Sequence, residues 1–356
     1  MALPRASEPD LDDPPAVILS VPSGRQLADL RRSVLAWYDT RGRSLAIRDP
    51  GVDPWGVLVA EVMAQQTQIG RVAPAWRRFL DGFPGPAALA TAAPAEVIRA
   101  WRGLGYNRRG LALRQAALAI VAAGGRVPSE PAALEALPGV GPYTARAVAA
   151  IAFGRPVGAV DVNVRRVLGR LLAGDGAGPG ATGIQAAADL LVDQRRPGDW
   201  THALMDVGAI VCRPARPACE ECPLDRWCRT RAARGAAGPV AGVTAGGGPG
   251  RAPLGPVVAA APGHRRRHPA AGAALPRFES TSRWLRGRLV ERLRDAPPGA
   301  FVAIDGPLGE HSPAAVATAL RHLAGDGLVE LDSAGRARLP IDPGAPVETL
   351  PAGGGH

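Results

Sequence analysis

The chain contains no lysine. All 42 of its basic residues are arginine. Arginine stays protonated and cannot form a Schiff base, so chemistry through a lysine imine is excluded. Only the α-amino group remains as a free amine, and nothing in the sequence ties it to a site. No apolar run reaches the ~20 residues of a membrane span. The N-terminal stretch MALPRASEPDLDDPP is acidic and proline-rich, unlike a secretion signal. A cytoplasmic location is therefore expected. Cysteine is scarce too, with four in the whole chain. Without a secretion signal, stable disulfides among them are not expected.

What is present points to a polyanionic partner. The formal net charge is +10 and the sequence pI is about 10.8, which suits nucleic acid, although a merely basic soluble protein would show the same balance. The 356 residues leave room for two domains and a tail, and the 46% hydrophobic content allows a sizeable core.

The stretch 137–166, LPGVGPYTARAVAAIAFGRPVGAVDVNVRR, organises the rest. Gly139 and Gly141 allow a tight turn, and Pro142 is a good first residue for the small-residue apolar helix that follows. Backbone N–H groups of such a turn and helix start bind anions such as a DNA phosphate. Leu137, Gly139, Val140 and Gly141 are thus candidate DNA-binding residues. An ordinary helix–turn–helix corner is the plain alternative. Asp161 reads as the N-cap of the next helix, which runs to residue 173. Asn163 is placed to orient Asp161 or a water.

The four cysteines are Cys212, Cys219, Cys222 and Cys228, spaced C-x6-C-x2-C-x5-C. Four thiolates in one short loop can close around a tetrahedral zinc ion or an iron–sulfur cube. Spacing alone leaves both open. His202 has no cysteine or histidine at metal spacing beside it and reads as structural.

Together, the hairpin, the aspartate about twenty residues beyond it and this cysteine spacing resemble the helix–hairpin–helix DNA glycosylases that carry a [4Fe–4S] cluster. The resemblance covers roughly residues 27–229. It implies an all-α fold of two lobes with a DNA-binding cleft, and a [4Fe–4S] cluster on the four cysteines. Within that family, EVMAQQTQ (residues 61–68) and GLGY (residues 103–106) most resemble the adenine glycosylase branch. That branch removes adenine mispaired with 8-oxoguanine or guanine.

The segment 53–65 reads as a helix, capped by Asp53 with Pro54 in its first turn. Glu61 sits among its apolar residues. A carboxylate there must be paired, or carry a raised pKa suited to a general acid. A partly exposed surface glutamate is the alternative. Gln65 and Gln66 follow, uncharged amides suited to base contacts, and the resemblance implies that Gln66 inserts at the opened base step. The turn 103–109 presents Tyr106 beside Arg108 and Arg109. An aromatic there can fill the gap left by a flipped base, and arginines can hold phosphates. Tyr143 stands where strand-cutting relatives have lysine. It can hydrogen-bond a carboxylate or water but cannot form an imine. The adenine branch usually has Leu-Pro-Trp-Arg where this chain has Leu45-Ala46-Ile47-Arg48. Arg48 matches, and the two changes bear on the base pocket.

Further helices are expected at 26–38, 69–83, 94–102, 111–123, 182–194 and 199–211. Residues 1–23 read as a disordered tail and 24–230 as the glycosylase domain. Residues 231–276 read as an Ala/Gly/Pro-rich linker with a basic knot at 264–268. Residues 277–340 read as a small winged-helix-like α+β domain, from helices at 282–294 and 313–325 followed by a hairpin. Residues 341–356 read as a second tail. No Nudix signature is found, so 8-oxoguanine recognition must lie elsewhere or be weaker.

The expected activity is hydrolysis of the N-glycosidic bond of a flipped adenine in double-stranded DNA, by a nucleoid-associated monomer. Glu61 is the expected general acid and Asp161 the stabiliser of the oxocarbenium-like sugar, with Tyr143 and Asn163 in support. The absence of lysine implies no coupled strand cut. The altered pocket segment keeps a thymine or uracil mismatch glycosylase open. A non-catalytic DNA-binding regulator is a further alternative, against which the pair Glu61 and Asp161 argues.

Overall fold

The structure is a computed structural model that describes residues 21–174, 180–236 and 277–341. The expected tails at 1–23 and 341–356 and the linker with its basic knot lie almost wholly outside these residues. The elements, in chain order, are α1 (Gly24–Arg41), α2 (Pro54–Ala64), α3 (Ile69–Gly82), α4 (Pro86–Thr91) and α5 (Pro94–Ala100). Then come α6 (Arg108–Ala122), α7 (Pro131–Glu135), α8 (Pro142–Phe153), α9 (Val162–Leu172), α10 (Ala181–Leu191) and α11 (Pro197–Asp206). The last are α12 (Arg229–Ala236), α13 (Ser282–Arg294), α14 (Pro313–Gly325), β1 (Glu330–Leu331) and β2 (Ala337–Arg338). The long helices fall where apolar periodicity places them. Those at α4 and α7 are too short to leave a periodic signal.

The chain divides into two compact units: Met1–Ser44 with Ala149–Arg267, and Leu45–Val148 with His268–His356. In the first, Leu30 and Val34 of α1 pack with Val164, Val167 and Leu168 of α9, Leu191 of α10 and Trp200 of α11. Asp206, at the end of α11, is fully buried. It accepts from the Arg43 backbone N at 2.8 Å and from Arg43 Nε at 2.7 Å. A buried carboxylate is tolerated only with such a partner. Arg43→Ala should therefore destabilise this unit by about 1.5–3 kcal/mol, through the charge-assisted hydrogen bonds lost at a buried carboxylate. A urea midpoint within error of the parent would contradict that. His202 is buried with its ring 6.3 Å from that of Tyr38, consistent with a packing role.

In the second unit, α2 is buried from Trp55 to Met63, as expected of a helix apolar on all sides. Residues 277–341 build most of one hydrophobic cluster, to which α5 contributes two residues. Leu285, Leu289 and Leu293 of α13 share one hydrophobic cluster with Ala95 and Ile98 of α5. Arg294 donates from Nε to the Ile98 carbonyl at 2.9 Å, and the Ala95 N–H donates to the Pro340 carbonyl at 3.0 Å. β1 and β2 pair antiparallel, and Val302 bridges to Ala337 on the far side.

Candidate active site

Candidate residues occur in both units, and each group is set by its own surroundings. Asp53 caps α2 by accepting from Gly56 N at 2.8 Å, with Pro54 in the first turn. The helix then carries Glu61 into apolar surroundings, where it is 8% exposed. The Tyr143 hydroxyl donates to Glu61 Oε2 at 3.1 Å. Tyr143 lies on the first turn of α8, so the helix that follows the hairpin brings a phenol to the buried carboxyl group. Arg48 lies in a short 3-10 turn, Ala46–Arg48, that packs against α2 and α3.

Beyond α2, Gln65 Nε2 donates to the Gly139 carbonyl and to Thr144 Oγ1, both at 3.2 Å. The amide expected to face bases is tied to the hairpin. Gln66 is exposed with φ +54°, and Tyr106 is 41% exposed with φ +46°. Among the described residues these are the only non-glycine residues with positive φ. For an L-residue that conformation costs about 1–2 kcal/mol and persists only where the surroundings impose it.

Arg109 corrects an expectation. It was to hold phosphate, but it is turned inward. Its guanidinium donates to the carbonyls of Val62 (2.9 Å), Met63 (2.8 Å) and Leu104 (3.2 Å) and to Thr67 Oγ1 (2.9 Å). It ties the C-terminal end of α2 to the Tyr106 turn. Burial pulls its pKa down to about 10, partly offset by Tyr106, so it keeps its charge at neutral pH.

Within the hairpin the two glycines differ. Gly139 has φ +79°, and a Cβ there would lie 2.7 Å from Ala112 Cβ. Gly141 is not in the left-handed region, and a Cβ there would meet nothing within 4 Å. The requirement for glycine therefore rests on Gly139. Leu137 and Val140 are buried, and the Val140 N–H donates to the Leu137 carbonyl at 3.1 Å. These two side chains hold the turn from below. An open groove of about 520 Å³ runs alongside, lined by Gln65, Arg108, Ala112, Gln115, Pro138 and Gly139 among others.

In the other unit, Asp161 caps α9 by accepting from Val164 N at 2.6 Å. Asn163 Nδ2 donates to Asp161 Oδ2 at 3.0 Å, and Asn163 Oδ1 accepts from Arg166 Nη2 at 3.0 Å. Arg166 continues to the carbonyls of Gly208 (2.6 Å) and Cys212 (2.8 Å). Gly208 has no room for a side chain, since its Cβ would sit 2.7 Å from Asn163 Cβ. Arg166 was missed in the sequence. The usable signal is the i,i+3 spacing of Asn163 and Arg166, which puts both on one helical face.

The four cysteines line one cavity of about 30 Å³ with Arg170 and Val211. No three His, Cys, Asp or Glu side chains among the described residues converge closely enough to hold a single metal ion. Burial pushes the Cys222 thiol up to about 12, with the other three cysteines adding to the rise. An all-sulfur donor set is soft and suits zinc or iron–sulfur. Arg170 donates to the Arg213 carbonyl at 2.8 Å and to Cys212 Sγ at 3.4 Å, which fixes the start of this loop.

Residues 59–191 match the family model of the HhH-GPD superfamily base excision DNA repair proteins. The adenine DNA glycosylase of Mycolicibacterium smegmatis is 38% identical over 308 residues, spanning 86% of this chain and 94% of that relative. The chain belongs to the adenine DNA glycosylase family. The human member is 42% identical over 219 residues, 58% of this chain and 40% of its own length. The solved structure of a thermostable thymine-DNA glycosylase superposes with a TM-score of 0.55 at 28% identity, covering 58% of this chain and 97% of that one. The helix–hairpin–helix glycosylase fold expected from the motifs is thus the fold of the matched part of the chain. No helix among the described residues is long and apolar enough to cross a membrane.

Proposed function

We propose that this chain hydrolyses the N-glycosidic bond of adenine mispaired with 8-oxoguanine or guanine, without a coupled strand cut. The observation that carries the reading is the Glu61–Tyr143 hydrogen bond: one carboxyl group on an apolar helix, aimed by a phenol. A purine leaves readily only when protonated. Glu61 gives its proton to a ring nitrogen of the flipped adenine, and the bond to the sugar C1′ breaks with its electron pair on the base. The Asp161 carboxylate, oriented by Asn163, stabilises the positive sugar. Water adds at C1′, and its proton goes to Glu61, which restores the acid. The products are free adenine and an abasic site.

Gln66 and Tyr106 serve as the residues inserted into the duplex. Their left-handed backbones and exposure support that role, since strained exposed residues mark ligand contacts. Phosphate is held at the hairpin, where the first-turn N–H groups of α8 and the groove beside Gly139 favour an anion. Cys212, Cys219, Cys222 and Cys228 hold a [4Fe–4S] cluster. Four sulfurs around one cavity are the donor set that such a cluster takes. When bound, the cluster supplies a rigid cross-link for the loop and takes no part in bond breaking.

The test is a duplex panel carrying adenine opposite 8-oxoguanine, adenine opposite guanine, and thymine or uracil opposite guanine, followed by hot alkali. Cleavage at adenine alone is the expected outcome. Cleavage at thymine or uracil would mean that the Ala46-Ile47 segment has redirected the pocket. Cleavage before alkali would contradict the lysine-free, hydrolysis-only mechanism.

A further inference from the structure

The turn that carries Tyr106 is gripped from residues far along the chain. The Arg283 guanidinium carbon lies over the Tyr106 ring, 4.3 Å from its centroid. Arg294 Nη2 donates to Asn107 Oδ1 at 2.8 Å. Arg108 Nη1 lies 3.4 Å from Asp326 Oδ1, and Asp326 is also held by Arg286. Three consecutive residues, 106 to 108, are each engaged by a different side chain from residues 277–341.

We infer that residues 277–341 are a positioning element for the Tyr106 turn, and that Arg283 aims the tyrosine ring for insertion into DNA. This rests on the reading of Tyr106 as an inserted residue. The physical case begins with the backbone. Tyr106 at φ +46° is strained and persists only where its surroundings hold it. Arg109 lies on the ring too, 5.6 Å from the centroid, but it is committed to carbonyls of the lobe. Arg283 is exposed in the first turn of α13, with its guanidinium stacked on the ring. A guanidinium over an aromatic face is attracted by the ring quadrupole and holds the ring's plane.

The platform behind it is firm. Arg294 is 4% exposed in its side chain, bonded to Glu291 at 2.8 Å and to the Ile98 carbonyl at 2.9 Å. It sits on the apolar cluster that α13 shares with α5. The segment therefore holds the turn at Asn107 through Arg294 and at the Tyr106 ring through Arg283. Tyr106 keeps 41% exposure within this grip, which leaves ring surface for a base step.

The experiment measures binding to a duplex carrying a non-hydrolysable abasic analogue opposite 8-oxoguanine, with 2-aminopurine beside it as a stacking probe. Arg283→Ala should weaken binding about twofold to fivefold, the range of a cation–π contact at an exposed site, and reduce the 2-aminopurine quenching. Arg283→Lys should recover part of both, since it restores the charge but stacks less well. In a Tyr106→Ala background, Arg283→Ala should cost nothing further, the signature of coupled residues. An equal loss in both backgrounds would overturn the proposal and make Arg283 an independent phosphate contact. Parent-like binding by Arg283→Ala alongside weakened binding by Tyr106→Ala would overturn it as well. Parent-like binding and quenching by Tyr106→Ala alone would instead remove the insertion reading on which it rests. Arg283 is at the surface, so an unchanged thermal midpoint is expected and checks that the fold is intact.

Discussion

Glu61→Gln should lower the single-turnover rate of adenine release by about 10³-fold, within the range of a lost general acid, and leave duplex affinity nearly unchanged. Glutamine has the shape of glutamate and keeps an oxygen that can accept from the Tyr143 hydroxyl. The hydrogen bond at 3.1 Å can therefore survive the change. What is lost is the transferable proton, and with it the route by which adenine departs as a neutral molecule. The split between rate and affinity is the diagnostic. If both fall together, the site has been disturbed and Glu61 is a structural residue. Normal release by the variant would end its assignment as the acid.

Cys222→Ser should lose the broad visible absorbance of an iron–sulfur protein and reduce adenine release by about tenfold or more, as loss of supporting ligation does in other metal sites. The reason lies in a chain of contacts rather than in chemistry at the metal. Asp161 is held by Asn163, Asn163 by Arg166, and Arg166 by the Cys212 carbonyl. Arg170 fixes the same loop at the Arg213 and Pro214 carbonyls, at 2.8 and 2.7 Å. A loop that is no longer cross-linked loosens Arg166 at the Cys212 carbonyl, which weakens the support that reaches Asp161 through Asn163. Full activity from metal-free protein would show that this chain of contacts carries no load. Absorbance from zinc-loaded parent that matches the as-isolated protein would contradict the iron–sulfur reading.

Capping and periodicity carried much of the fold in the sequence. Asp53 with Pro54 and Asp161 before Val162 mark helix starts by local chemistry, and both side chains accept the expected backbone N–H. The helices at Ser282–Arg294 and Pro313–Gly325 were legible for the same reason. Orientation was not legible. Arg109 has the charge of a phosphate ligand, but its direction depends on carbonyls left unsatisfied at the end of α2, which no spacing reveals. Gly139 and Gly141 look alike in sequence, and only the neighbouring Ala112 separates them. Tyr143 was expected to serve a carboxylate, yet its meeting with Glu61 joins residues 82 apart. The sharing of a core between α13 and α5 spans a longer distance still. Its apolar residues carry no mark of their partner.

The interleaving of the two units has a consequence for how the chain folds. Each is assembled from two stretches, and each stretch of one is separated by a stretch of the other. Arg31 finds its acceptor at the Leu191 carbonyl, 160 residues on. Such non-local closure slows folding, because chain entropy is lost before the contacts form. During synthesis, α1 waits for α9 to α11, and α5 exposes Ala95 and Ile98 until α13 has emerged. A chain halted before α13 would thus present an apolar surface to chaperones and to other nascent chains.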